Sequence, residues 1–146
     1  MDKKKIALAS DHAGYETKMK LISFLHLLGF ETLDFGCYST ESCDYPDFAH
    51  PMALAVENRE ADLGVSLCGS GNGINMVANK HQQIRSALCW TPEIARLAIE
   101  HNDANVCAIP ARFVTEEEAK DILQAFLTAS FEGGRHIRRI DKIPVS

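Results

Sequence analysis

A glycine-rich segment that begins with a cysteine carries the clearest chemical signal in the sequence. Cys68 ends an apolar run of strand type and is followed by Gly69, Gly71 and Gly73. Glycines allow successive backbone N–H groups to approach one anion at a helix N-terminus. The spacing matches neither the dinucleotide-binding pattern nor a P-loop. Because a thiol beside a helix N-terminus ionises more readily than a free thiol, the segment predicts an anion-binding loop with Cys68 as base or nucleophile.

Arginines near the C-terminus form a second group. Arg135 and Arg139 stand four residues apart, with Arg138 between them, and would share one face of a helix. Guanidinium groups bind phosphate oxygens bidentately. Because the chain has a net charge of −5 at pH 7, an anionic substrate would need such a local positive cluster. The arginines therefore predict a phosphate site, although a solvated basic tail has the same composition.

The remaining cysteines and histidines predict no further chemistry. The five cysteines include no CxxC pair and are expected to be free thiols in a reducing compartment. No pair among the six histidines has metal-ligand spacing, so we expect neither a metal ion nor another cofactor. His26, His50, His81 and His136 are predicted to be incidental.

The size and composition of the chain are those of one soluble domain, residues 1–146, without linker or repeat. No apolar stretch approaches the roughly 20 residues of a membrane span, so we expect a cytoplasmic protein without membrane association. The acidic net charge argues against nucleic-acid binding.

Apolar runs of strand type alternate with segments of helical periodicity along the chain. Strands are predicted at 5–10, 31–35, 62–67, 85–89 and 105–109. Because these strands are almost continuously apolar, they indicate a parallel sheet that is covered on both faces. The predicted fold is α/β, a Rossmann-like three-layer α/β/α sandwich with a five-stranded parallel sheet.

In such folds, ligands bind beyond the carboxyl ends of the strands. Asp11 and His12 follow the first strand, Cys68 ends the third, and Arg112 follows the fifth. His101, which precedes the fifth strand, is expected near the same edge. Each of these residues taken alone could equally be an ordinary cap or turn residue.

Together these motifs resemble the type B ribose-5-phosphate isomerases, a family that includes allose-6-phosphate and galactose-6-phosphate isomerases. The resemblance runs from about Lys5 to Arg139. The matching motifs are Asp11-His12, Asp44-Tyr45-Pro46, Cys68-Gly69-Ser70-Gly71-Asn72-Gly73, Ala78-Asn79-Lys80, His101-Asn102-Asp103 and Gly133-Gly134-Arg135-His136. The resemblance implies a metal-free enzyme that forms a homodimer or tetramer. It also implies shared active sites, with residues 132–146 as a tail that reaches the partner subunit.

The resemblance also implies roles for individual residues. Cys68 would move a proton between C2 and C1 of the sugar, because Ile74 replaces the glutamate that serves as base in one branch of the family. His101 would open the furanose ring with help from Asp11. The other implied roles are stabilisation of the enediolate by Ser70 and the amides of Gly69, Ser70, Gly71, Asn72 and Gly73, substrate contact by His12, Tyr45 and Asn102, and phosphate binding by Arg112, Arg135 and Arg139.

Three alternatives remain open at this point. A nucleotide- or flavin-binding module would use the glycine loop but would leave Cys68, His101 and the arginines without a joint purpose. A thiol-redox protein built on Cys68 would lack a nearby resolving cysteine. Within the isomerases, a six-carbon sugar phosphate is the alternative substrate, and the pair His101-Asn102 favours ribose 5-phosphate.

Overall fold

Strands and helices alternate along residues 4–145, the part of the chain that this computed structural model describes. The strands are β1 (Lys5–Ser10), β2 (Glu31–Asp34), β3 (Leu63–Cys68), β4 (Ser86–Leu88) and β5 (Val106–Pro110). The helices are α1 (Tyr15–Leu27), α2 (Pro46–Glu57), α3 (Asn72–Ala78), α4 (Pro92–Asn102), α5 (Glu116–Thr128) and α6 (Arg135–Ile140). The strand bounds differ from the predicted ones by no more than one residue.

The five strands form one sheet in the order β2-β1-β3-β5-β4, and every neighbouring pair is parallel. All strands therefore end at one edge, here called the carboxyl edge, and begin at the opposite one, the amino edge. A helix that connects two strands starts at the carboxyl edge and ends at the amino edge. The chain order reverses between β1 and β3, so the loops that follow these two strands border a switch point of the kind that binds ligands.

Helices cover both faces of the sheet, which confirms the predicted three-layer architecture. One face packs against α1, α4 and α5 through a large aliphatic cluster that includes Leu21, Ile99 and Phe126. The other face packs against α2 and α3, largely through alanines together with Met52 and Ile74.

Local sequence signals explain how two of these helices begin. Thr91 accepts a hydrogen bond from the Ile94 amide in front of Pro92, the first residue of α4. Thr115 and Glu118 form a reciprocal capping box at the start of α5. Because these side chains satisfy backbone amides that a helix leaves unpaired, both helix starts were predictable.

The helical spacing of Tyr15, Met19, Ile22, Leu25 and Leu28 predicts one apolar face for α1, and this prediction was partly wrong. The apolar residues Met19 and Leu28 are 40% and 45% exposed, whereas Lys18 is fully buried. Its ammonium group donates to Asp34 Oδ1 at 2.5 Å and to the Cys37 carbonyl at 2.6 Å. A buried lysine requires such partners, and they come from a loop that sequence periodicity does not reveal.

Lys18→Met should lower the free energy of unfolding by about 2–4 kcal/mol, because it removes the charged partner of Asp34 and the Lys18 donor to the Cys37 carbonyl. Urea unfolding followed by circular dichroism measures the change. Lys20→Met, at an exposed position of the same helix, is the matched control and should change stability by less than about 0.5 kcal/mol. Equal stability of the two variants would show that the buried ion pair contributes nothing.

The segment that follows α5, which was predicted to be a tail, is docked onto its own chain. The Glu132 amide donates to the Glu100 carbonyl, and α6 buries His136 and Ile140. Farther along, Val145 exchanges two hydrogen bonds with the Gln82 side chain. Among residues 4–145, no helix is both long enough and apolar enough to cross a membrane. The cytoplasmic location stays a prediction.

Candidate active site

The glycine loop leaves β3 at Cys68, whose side chain is only 5% exposed, and leads into α3. Gly71 has a φ of +76°, and a Cβ atom at this position would lie 2.5 Å from Leu88 Cδ1. A side chain is therefore excluded both by the backbone conformation and by the neighbouring strand. Glycine is therefore the residue best suited to this position of the loop.

Arg112 lies directly beside this loop. Its amide donates to the Gly69 carbonyl, and the Ala111 amide donates to the Cys68 carbonyl, both at 3.0 Å. The arginine side chain crosses Gly69 so closely that a Cβ atom there would lie 3.1 Å from the guanidinium nitrogen Nη1. The loop thus carries a fixed positive charge at its start, in the position expected for a group that binds an anion.

Within the loop, Ser70 Oγ accepts a hydrogen bond from the Asn72 amide at 3.2 Å. The Asn72 amide is therefore engaged inside the loop, which differs from the expectation that every amide from Gly69 to Gly73 points at a ligand. The Ser70 hydroxyl keeps its own hydrogen for donation to another acceptor.

Asp11 and His12 occupy the neighbouring loop, after β1. The Asp11 carboxylate, 7% exposed, accepts hydrogen bonds through Oδ1 from the amides of Ala13 and Gly14. His12 Nδ1 accepts from the Cys43 amide at 3.3 Å, so the neutral ring carries its proton on Nε2. Burial raises the pKa of the Cys43 thiol, and the adjacent Cys37 thiol raises it further, so Cys43 remains a neutral thiol near pH 7.

Tyr45 connects these two loops. Its ring covers Gly73 so closely that a Cβ atom there would lie 2.4 Å from Tyr45 Cζ. Asp11, His12 and residues 42–47 line an open cavity of about 570 Å³. One group of predicted residues thus lies together at the carboxyl edge. We call it the Cys68 cluster, and its members are Asp11, His12, Tyr45, Cys68, Ser70, Arg112 and the loop glycines.

His101 lies at the opposite edge, so the expectation that it shares the edge of Cys68 within one chain was wrong. The helix α4 connects the parallel strands β4 and β5, and His101 is in its last turn, just before β5 begins. It is therefore at the amino edge. The strand β3 alone has six residues and spans about 20 Å, so the two side chains cannot meet on one substrate within a chain.

A second histidine, His136, which was predicted to be incidental, accompanies His101. The His136 ring stacks on the His101 ring, with centroids 4.5 Å apart and planes 13° from parallel. Glu132 Oε1 lies 3.8 Å from His101 Nε2 and 3.5 Å from His136 Nε2. The i, i+4 spacing of Glu132 and His136 was visible in the sequence, but their meeting with α4 was not.

Asn102, Arg135 and Arg139 lie in the same region as His101. The Asn102 carbonyl accepts from Arg85 Nε, while the side chains of both α6 arginines are exposed. The predicted helical spacing of Arg135 and Arg139 is confirmed, because both lie within α6. We call this second group the His101 cluster, and its members are His101, Asn102, Glu132, Arg135, His136 and Arg139.

Two other cavities lie away from the Cys68 cluster. One of about 600 Å³ lies among residues such as Glu57, Arg85 and Asn105 at the amino edge, and none of the predicted site residues lines it. A smaller one of about 350 Å³ includes Asn102 in its lining. The predicted residues are thus divided between the Cys68 cluster and the His101 cluster, each with polar and positively charged groups.

Comparison with known proteins assigns the chain to a family. The family model described as Ribose/Galactose Isomerase matches residues 6–143. Ribose-5-phosphate isomerase B of Escherichia coli (strain K12) is 44% identical over 140 residues, which cover 96% of this chain and 94% of that protein. The solved structure of Clostridium thermocellum ribose-5-phosphate isomerase B superposes with a TM-score of 0.94 at 46% identity, covering 95% of this chain and 94% of that one.

A solved structure from Mycoplasma genitalium adds a ligand to the comparison. It is described as ribose-5-phosphate isomerase B with bound ribulose-5-phosphate, and it superposes with a TM-score of 0.91 at 44% identity. The match covers 95% of this chain and 93% of that chain. Since both the sequence and the fold match over almost their whole length, the chain belongs to the ribose/galactose isomerase family, as its motifs had indicated.

Proposed function

We propose that this isomerase interconverts ribose 5-phosphate and ribulose 5-phosphate through a cis-enediolate, without a metal ion or another cofactor in the reaction. The observation that carries the proposal is the Cys68 cluster, in which a thiol, a glycine loop and the Arg112 guanidinium lie side by side. The E. coli relative named for this activity and the ribulose-5-phosphate complex from M. genitalium support the choice of substrate.

In this proposal, the Cys68 thiolate removes the proton from C2 of the open-chain aldose. The electron pair of the C–H bond forms a double bond between C1 and C2, and the aldehyde oxygen O1 becomes the anionic oxygen of the enediolate. The hydroxyl proton on O2 passes to O1, and the same sulfur returns its proton to C1, which leaves the carbonyl at C2. Because a proton beside a carbonyl is only weakly acidic, the negative charge on the oxygens must be stabilised by fixed donors. The Ser70 hydroxyl and free amides of the glycine loop are suited to this, and one such donor can contribute about 3–4 kcal/mol.

Ring opening must precede proton transfer, because ribose 5-phosphate is mostly a furanose. We assign protonation of the ring oxygen to His101 and assistance at the anomeric hydroxyl to Asp11. Substrate contacts are assigned to His12, Tyr45 and Asn102. Arg112, Arg135 and Arg139 would hold the phosphate, and this remote anchor would keep the flexible open chain against Cys68.

Because these roles require residues from opposite edges of the sheet, we propose that two chains share each site. A two-fold homodimer, or a tetramer built from two such dimers, can bring the Cys68 cluster of one subunit to the His101 cluster of its partner. The two clusters are separated by about the length of β3 within one chain, and this separation supports the shared arrangement. The segment at residues 132–145 would then present its arginines to the partner while remaining docked on its own α4.

A six-carbon sugar phosphate remains the second candidate substrate, because the family model covers galactose isomerases as well. The test is purified enzyme in EDTA with ribose 5-phosphate, allose 6-phosphate and galactose 6-phosphate. Selective turnover of ribose 5-phosphate is expected. Preference for either hexose phosphate would contradict the assignment of ribose 5-phosphate as the substrate. Loss of activity in EDTA would contradict the metal-free mechanism.

His101→Asn should slow the reaction of ribose 5-phosphate by about 10²-fold or more, because ring opening loses its proton donor. Ribulose 5-phosphate cannot form a furanose, so exchange of its C1 proton with solvent should change by no more than about threefold. Single-turnover kinetics and NMR in D₂O measure the two steps separately.

His26→Asn is the control for this experiment, since His26 lies outside both clusters and contacts Thr32. It should leave both rates unchanged. Equal losses for ribose 5-phosphate and for C1 exchange in His101→Asn would assign His101 to proton transfer instead of ring opening.

A further inference from the structure

Three potential metal ligands converge within the His101 cluster. Donor atoms of His101, Glu132 and His136 all lie within 4.8 Å of one another. Both imidazole Nε2 atoms face the same carboxylate oxygen, at 3.8 and 3.5 Å. In a tetrahedral zinc site the donors stand about 3.3 Å apart, so the nitrogen-to-oxygen separations are already close to those of a formed site.

His136 supplies an independent observation that a ligand belongs here. Its side chain is only 9% exposed, and its Nε2 atom makes no hydrogen bond to any residue within 4–145. A buried polar atom normally has a partner, because leaving it unpaired costs about 1–3 kcal/mol. A metal ion bound at this nitrogen would supply that partner.

The backbone holds the three residues in place. His101 lies in the last turn of α4, and the Glu132 amide donates to the carbonyl of Glu100, its immediate neighbour. His136 follows in the first turn of α6. The two rings are stacked, so His101 must turn about its χ2 angle to aim its lone pair at a shared ion. Its side chain is 38% exposed and has the space to do so.

A second histidine group in the chain contains a ring whose two nitrogens both have hydrogen-bonding partners. His50 Nδ1 lies 2.8 Å from His81 Nε2, and His81 Nδ1 lies 3.2 Å from Glu57 Oε1. Both nitrogens of His81 are therefore paired with neighbouring side chains. The residue types match those of His101, Glu132 and His136, but His81 has no nitrogen left for an ion.

We propose that His101, Glu132 and His136 form a binding site for a divalent transition cation, with Zn²⁺ as the best match to two imidazoles and one carboxylate. Three protein ligands leave the fourth coordination position to water. An ion at this site occupies the His101 nitrogen that would open the sugar ring. Zinc therefore inhibits the isomerase, and EDTA reverses the inhibition. Only this inhibitory consequence rests on the proposed function.

The test measures zinc binding directly, by competition between the full-length protein and a fluorescent zinc chelator. Because thiolates also bind zinc, the parent protein carries Cys43→Ser and Cys68→Ala. We expect one Zn²⁺ per chain in this parent. Glu132→Gln and His136→Gln should each weaken binding by more than about tenfold, since even outer-shell partners of a metal ligand contribute 10- to 100-fold. His50→Ala is the matched control and should bind zinc like the parent.

Several outcomes would overturn the site: no zinc bound by the parent, unchanged affinity in Glu132→Gln and His136→Gln, or loss of binding in His50→Ala. Glu132 is 50% exposed, so Glu132→Gln is expected to fold even if the buried His136→Gln variant does not. In the wild-type enzyme, micromolar zinc should slow ribose 5-phosphate turnover reversibly. If that enzyme isomerises no sugar phosphate but the parent still binds zinc, the proposed function fails and the metal site stands.

Discussion

Cys68→Ala should lower kcat for ribose 5-phosphate by at least about 10²–10⁴-fold, the usual contribution of a positioned general base. Binding of ribose 5-phosphate, measured by calorimetry, should change by no more than about threefold, because the glycine loop and Arg112 remain. Loss of deuterium from C2 of labelled substrate should fall together with turnover. Iodoacetamide should inactivate the wild-type enzyme by alkylating Cys68, and bound substrate should protect it.

The matched control is Cys89→Ala, which removes another buried thiol. Cys89 is fully buried in the core that packs against α1, α4 and α5. We expect a lower free energy of unfolding but an unchanged kcat. Substantial isomerisation by Cys68→Ala, or an equal loss of activity in Cys89→Ala, would exclude Cys68 as the base.

The parts of the fold that were predictable depend on local signals. Thr115 and Glu118 specify the start of α5 within four residues, and apolar runs locate every strand. The requirement for glycine at position 71 was also predictable, because a left-handed backbone conformation is most accessible to glycine. Such features need no knowledge of the remainder of the chain.

The features that sequence reasoning missed depend on contacts between distant segments. Lys18 is buried because its ammonium group donates hydrogen bonds to Asp34 and to the Cys37 carbonyl. From helical periodicity alone, a lysine at this position would be predicted to be exposed. His136 is placed by its stacking on His101, 35 positions earlier in the chain. No spacing rule predicts either contact.

The error about His101 has a topological cause. Proximity to β5 in sequence suggested proximity to the carboxyl edge, but a helix that leads into a parallel strand ends at the amino edge. The corrected position changes the functional argument. Within one chain the length of β3 separates Cys68 from His101, so the proposed chemistry calls for a second subunit.

Mixing two impaired variants tests this dependence. Cys68→Ala disables the Cys68 cluster, and Arg139→Ala should lower kcat/KM by about 10–100-fold through loss of charge-assisted hydrogen bonds to phosphate. When the two variants are mixed and their subunits exchange, the activity of the mixture should exceed the activity of either variant alone. In a hybrid dimer one site receives both lesions, while the other combines an intact Cys68 with an intact Arg139.

The expected recovery follows from counting sites. Random pairing makes about half of the dimers hybrids, each with one intact site of two, so the mixture should reach roughly a quarter of wild-type activity. The same mixture without subunit exchange is the control and should show only the average of its parents. Arg138→Ala, at a neighbouring exposed position of α6, should be active without mixing. If the re-equilibrated mixture also stays at the parental average, Cys68 and Arg139 act within one chain, and the division of the site between two subunits is wrong.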